Sequence, residues 1–124
     1  MGENDSKELW LRLEQDIRPE ELRLGRYTTQ AYMDDPCALT FITARYKFCS
    51  KMLEGKSSIL EIGCGDGFGG VLVAQKVDHL LCCDINEDMI EDNRERMRRF
   101  KNIDYLYHDF RTNSLVDDFD GAYL

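Results

Sequence analysis

The chain reads as an α/β protein, a parallel sheet preceded by a helical N-terminal segment. Three observations predict this. Apolar runs at residues 59–62, 79–84 and 103–108 alternate with stretches of helical spacing, the order that builds strand–helix–strand crossovers. The first run leads straight into Gly63-Cys64-Gly65-Asp66-Gly67, where glycines at alternate positions demand a tight turn with no Cβ in the way. Residues 1–55 carry helical spacing without a comparable run, so they form a helical cap, and residues 56–124 form the sheet domain.

Taken in order, Leu9, Trp10, Leu13 and Ile17 fall on one face of a helix with Ser6 as its N-cap, ended by Pro19. Residues 24–33 mix glycine, tyrosines and threonines without periodicity and read as a loop. Asp35 and Pro36 then supply a cap and a first helical residue. Leu39, Ile42, Tyr46, Cys49 and Leu53 follow on one face, and Gly55 closes the helix. After the strand at 59–62, residues 68–77 read as a helix and 79–84 as a second strand. A helix at 86–100 turns Met89, Ile90, Met97 and Phe100 inward. The third strand is 103–108, and a fourth begins at Gly121. Strands this apolar belong to a parallel sheet with right-handed crossovers.

At 124 residues, 43% hydrophobic and 32% charged, the chain is one globular domain's worth. No apolar run approaches the roughly 20 residues that span a bilayer, and the polar N-terminus is no secretory signal. Residues 1–6 fit a myristoylation pattern by accident, since Glu3 and Asp5 would be repelled by an anionic leaflet. Neither membrane nor nucleic acid is an expected partner. A net charge of −8 opposes phosphate-backbone binding, and Arg94, Arg96, Arg98, Arg99 and Lys101 complement the dipole at the end of a helix that starts with acids. Five cysteines without a C-x-x-C pair give neither a disulfide framework nor a zinc site, and fit a reduced cytoplasmic protein with no metal. Cys82 and Cys83 read as small buried residues. Cys64 has no neighbouring histidine to make it a nucleophile.

Two glycine fingerprints overlap. Gly65-x-Gly67-x-x-Gly70, with Asp84 about 20 residues on, fits a dinucleotide site. Glu61-x-Gly63-x-Gly65-x-Gly67 fits a site for a cationic cofactor, because Asp66 would set a like charge against a pyrophosphate. Asp84 ends a strand, where its oxygens can accept from both ribose hydroxyls. His108-Asp109-Phe110 ends another, so three strand ends deliver Glu61, Asp84 and Asp109 to one crevice.

Together these residues resemble the cofactor site of class I S-adenosylmethionine-dependent methyltransferases. The resemblance implies a Rossmann-like sheet ordered 3-2-1-4-5-7-6 and methyl transfer from S-adenosyl-L-methionine. It implies cofactor contacts from Glu61, Gly63, Cys64, Gly65, Gly67, Asp84 and Ile85, with Asp109 on the adenine amino group and Phe110 beside the ring. Gly25-Arg26-Tyr27, with Tyr32 and Asp35, is similar to the N-terminal stretch of some bacterial small-molecule or glycan methyltransferases. Arg26 would pair with the cofactor carboxylate, and Tyr27 would close over the sulfonium. The chain departs from the family at Leu124, within strand four, so the sheet is expected to be truncated and to self-associate through its edge. No catalytic base and no acceptor can be assigned. The competing readings are a non-catalytic cofactor-binding or interaction module, and an NAD-dependent oxidoreductase.

Overall fold

The computed structural model describes residues 2–124. Its elements run α1 (Glu3–Gln15), α2 (Arg26–Asp34), α3 (Pro36–Met52), β1 (Ser58–Ile62), α4 (Gly70–Ala74), β2 (His79–Asp84), α5 (Glu87–Arg96), β3 (Ile103–Tyr107) and β4 (Gly121–Tyr123). The four strands form one parallel sheet in the order β3-β2-β1-β4. Alternate residues of the strands, Ile59, Leu80, Cys82, Ile103 and Tyr105, pack with Val73, Ala74, Ile90 and Met97 from the helices into the core. The step from β1 to β3 moves one way across the sheet, and the step from β3 to β4 returns past β1. A right-handed crossover must then pass over the opposite face, and residues 108–120 make it without a helix. The reversal at β1 leaves a crevice at the C-terminal ends of β1 and β4, where open α/β sheets place their ligands.

Asp120 fixes the register of β4: its Oδ2 accepts from the backbone of Ser57 and Ser58 at 3.0 and 2.9 Å. Asn86 caps α5, its side chain accepting from Met89 N at 3.1 Å. Gly55 takes a φ of 82° at the close of α3, as its sequence position predicts.

Three expectations change. Residues 26–34 are helix α2, not loop. The N-cap of α1 is Gly2, which leaves Ser6 inside the helix. The helix after the glycine turn keeps only Gly70–Ala74 of the expected 68–77, because the turn continues through Gly69. The apolar face of α1 also lies open, with Trp10 71% exposed: periodicity marks an amphipathic helix without naming what covers it.

Candidate functional site

The glycine turn between β1 and α4 is the centre of the site. Gly63, Gly65 and Gly67 take φ of 75°, 59° and 78°, a left-handed region that residues with a Cβ rarely enter. Nothing lies within 4 Å of where a Cβ on Gly63 would stand. On Gly65 the one neighbour is the Tyr27 ring at 4.0 Å, so the turn opens upward under that ring.

Three elements hold the turn. At the end of β2, Asp84 Oδ2 accepts from Gly65 N at 2.9 Å, while Oδ1 accepts from Asn86 N at 3.0 Å. Each oxygen keeps a lone pair for a further donor. From α5, the fully buried Asn93 donates to Gly65 O at 2.7 Å, and Arg96 donates to Asp66 O at 2.5 Å. Arg96 is thus no part of a solvated basic face. Its side chain is 4% exposed and also binds Asp92 and Asn93.

From the α2 side, Asp66 accepts from Thr28 N and Thr28 Oγ1 at 2.8 and 2.9 Å, all buried. The approach is so close that a Cβ on Gly25 would stand 2.3 Å from Asp66. The carboxylate of Asp66 therefore faces the start of α2. The expected charge conflict between it and a pyrophosphate does not follow, because two hydrogen bonds hold it there.

Beneath the turn, Glu61 is 1% exposed. It accepts from Tyr46 Oη at 2.5 Å, Tyr123 Oη at 2.9 Å and Cys82 Sγ at 3.5 Å. Burial pushes its carboxyl above the usual range, opposed by the phenol bonds. Burial, then the charge of Glu61, raises both phenols, so they remain donors. Expected at the wall of the crevice, Glu61 instead ties α3 and β4 to β1 from below. Cys64 is buried at 5% exposure, its Sγ 3.6 Å from Gly65 O.

The third strand end also differs from expectation. Asp109 accepts from Arg111 N, Nε and Nη2 at 3.0, 2.9 and 2.8 Å, which lowers its carboxyl to about 2. Its carboxylate points at that guanidinium, and Asp84 is the one of the three acids that touches the glycine turn. Phe110 stacks edge-on against His108, with ring centroids 4.3 Å apart. Ile85 stands 59% exposed beside Asp84.

Arg26 and Tyr27 are neighbours in sequence but serve different spaces. Tyr27 lines a cavity of about 250 Å³ with Ile42, Tyr46, Cys64, Gly65 and Phe68. Arg26 lines another, of about 200 Å³, with Arg23, Asp66, Asp88 and Asp92. A cavity of about 680 Å³ lies among charged side chains, where Arg99 and Glu20 pair at 2.8 Å. Among the described residues no cluster of His, Cys, Asp and Glu is arranged to hold a metal.

Sequence reasoning missed Thr28, Tyr46, Asn93, Arg96 and Tyr123. The sequence offers no signal for Thr28 or Tyr123, since each meets its carboxylate across a long separation. The spacing of Asn93 and Arg96, one helical turn apart on α5, is the one clue that a single face held both.

A parallel sheet with an open glycine turn at its switch point and an acid ending the next strand defines a nucleotide-type α/β site. A sequence model described as "methyltransferase domain" matches residues 59–124, and the chain belongs to that family. Among solved structures, the N-methyltransferase NodS from Bradyrhizobium japonicum WM9 is similar at 24% identity and a TM-score of 0.61, over 72% of this chain and 49% of that one. The 23S rRNA methyltransferase ErmE is similar at 23% identity and a TM-score of 0.52, over 60% of this chain and 30% of that one. A dimethyladenosine transferase from Plasmodium falciparum follows at 21% and 0.53, over 64% and 30%. The chain spans about half the length of NodS and less of the other two. These likenesses carry the fold, including its four-stranded Rossmann-like sheet. No curated protein matches.

Proposed function

We propose that the chain binds S-adenosyl-L-methionine at the C-terminal edge of its sheet and serves methyl transfer to a small-molecule or glycan acceptor. The observation that carries this reading is the open glycine turn beside Asp84. The residues there fit such a cofactor: Gly63 and Gly65 leave space above the backbone, and Asp84 keeps acceptor capacity for two ribose hydroxyls. NodS has also been solved in complex with S-adenosyl-l-homocysteine.

When bound, the cofactor supplies a methyl group on a cationic sulfur. The chain's part is to bind and orient. Asp84 would hold the ribose, and Ile85 and Phe110 are the apolar side chains that would line the adenine. Asp109 would accept from the adenine amino group only by sharing its carboxylate with Arg111. Tyr27, 60% exposed above Gly65, would close over the sulfonium by cation–π contact. Grip on the turn from Asn93, Arg96 and Thr28 keeps this geometry in place before any ligand arrives, and positioning of this kind is the main lever in an in-line displacement. With Asp66 facing α2, preference over NAD rests on family membership, not on repulsion.

Calorimetry with S-adenosylmethionine, S-adenosylhomocysteine and NAD tests the reading. Binding of the first two and not of NAD is expected; tighter binding of NAD would overturn it.

A further inference from the structure

Beside Gly63 lies a cavity of about 230 Å³ whose lining includes Ile42, Arg45, Tyr46, Cys49 and Tyr123. Arg45 is the charged side chain of that lining. Among the described residues it forms no ion pair, although the chain carries a net charge of −8. Glu61 accepts from the hydroxyls of Tyr46 and Tyr123, is buried, and is not part of the cavity lining, so it does not neutralise the guanidinium there. Arg26, by contrast, shares its cavity with Asp66, Asp88, Asp92 and Arg23. There Asp92 is bound by Arg23 and Arg96 and Asp66 by Thr28, so Asp88 is the acid that a ligand carboxylate would meet beside Arg26.

The order of groups along the turn gives the cavity its occupant. Asp84 is bonded to Gly65 N, so a ribose held by Asp84 sits at the Gly65 end. Gly63 is two residues back, at most about 7 Å along the chain, and its open side faces the Arg45 cavity. A nucleoside whose 5′ substituent extends over the turn therefore delivers the end of that substituent to Arg45. In the proposed cofactor that end is an amino acid. Taking the methyltransferase reading as its basis, we propose that Arg45, not Arg26, binds the α-carboxylate of the cofactor's amino-acid tail, with Tyr46 and Tyr123 as the wall that the tail packs against. A guanidinium presents paired donors that match a carboxylate, and lysine would supply the charge without the fork.

The experiment compares S-adenosylhomocysteine with 5′-methylthioadenosine, which keeps the nucleoside and sulfur but lacks the amino acid. Both are titrated calorimetrically into the full chain and into Arg45→Ala, Arg45→Lys and Arg26→Ala. Arg45→Ala is expected to weaken S-adenosylhomocysteine by about ten-fold or more and to leave methylthioadenosine unchanged. Arg45→Lys should recover part of the loss, and Arg26→Ala should affect neither ligand. Arg45 is exposed, so its replacement spares the fold, which circular dichroism checks. Equal weakening of both ligands by Arg45→Ala, no weakening of either, or a selective loss in Arg26→Ala would overturn the assignment. If the unaltered chain bound methylthioadenosine as tightly as S-adenosylhomocysteine, the tail would have no site here, while the cofactor reading would stand. Binding of neither would remove both.

Discussion

At the scale of single residues, the site separates two acids that look alike in sequence. Asp84 holds the turn and retains acceptor capacity, whereas Glu61 is sealed below it. Asp84→Ala should therefore weaken S-adenosylhomocysteine by about 1.5–3 kcal/mol, the worth of a hydrogen bond to a charged group. Glu91→Ala, which removes an exposed partner of Arg94 on α5, should leave binding unchanged. Equal losses in calorimetry would mean that Asp84 serves only the turn. Glu61 makes a prediction of the opposite kind. Its carboxyl is raised in the folded chain, so between the unfolded value of about 4.3 and the higher folded value the native state holds more protons. Stability should then fall as pH rises through that window. Glu61→Gln should flatten this slope in denaturant titrations run at a series of pH values. An unchanged slope would place the pH dependence elsewhere.

At the scale of elements, the strands were readable because short, mostly apolar segments bounded by turns mark buried strands, and β1, β2 and β3 are such segments, interrupted only by Glu61 and Asp104 between their ends. Helix α2 was not. Arg26-Tyr27-Thr28-Thr29 has no apolar period, and its start is set by Thr28 meeting Asp66, 38 residues away. The same limit hid the partners of Glu61: Tyr46 and Tyr123 come from α3 and β4, and nothing local announces them. The glycines and Asp84 were legible because a turn of positive φ and a strand-ending acid each leave a mark in the sequence itself. The grip of α5 on the turn gives this scale its prediction. Asn93→Leu would take its amide donor from Gly65 O at a half-buried place and leave only the weak Cys64 thiol, so it should cost about 1–3 kcal/mol in denaturant unfolding and weaken cofactor binding as well. A variant of full stability and full affinity would show that Asn93 merely fills space.

For the whole molecule, β4 pairs with β1 on one side, and among the described residues no strand pairs with its other side. Unpaired edge groups beside apolar side chains invite a further strand. The chain alone is expected to show a mass that climbs with concentration in light scattering; a constant monomer mass across the series would mean that the edge is adequately protected. No described helix is long and apolar enough to cross a membrane.

The bonds that converge on Glu61 also carry an implication for the order of assembly. Cys82 reaches it across 21 residues and Tyr123 across 62. Closing the longer loop costs about 1 kcal/mol more in chain entropy, so β1, β2 and their helix can associate well before β4 docks. Because Tyr123 is both a donor to Glu61 and a wall of the Arg45 cavity, that cavity is completed only when β4 docks. A nascent or partly opened chain would therefore display the glycine turn without a finished receptacle for an amino-acid tail, and tight capture of such a ligand would report that β4 has docked.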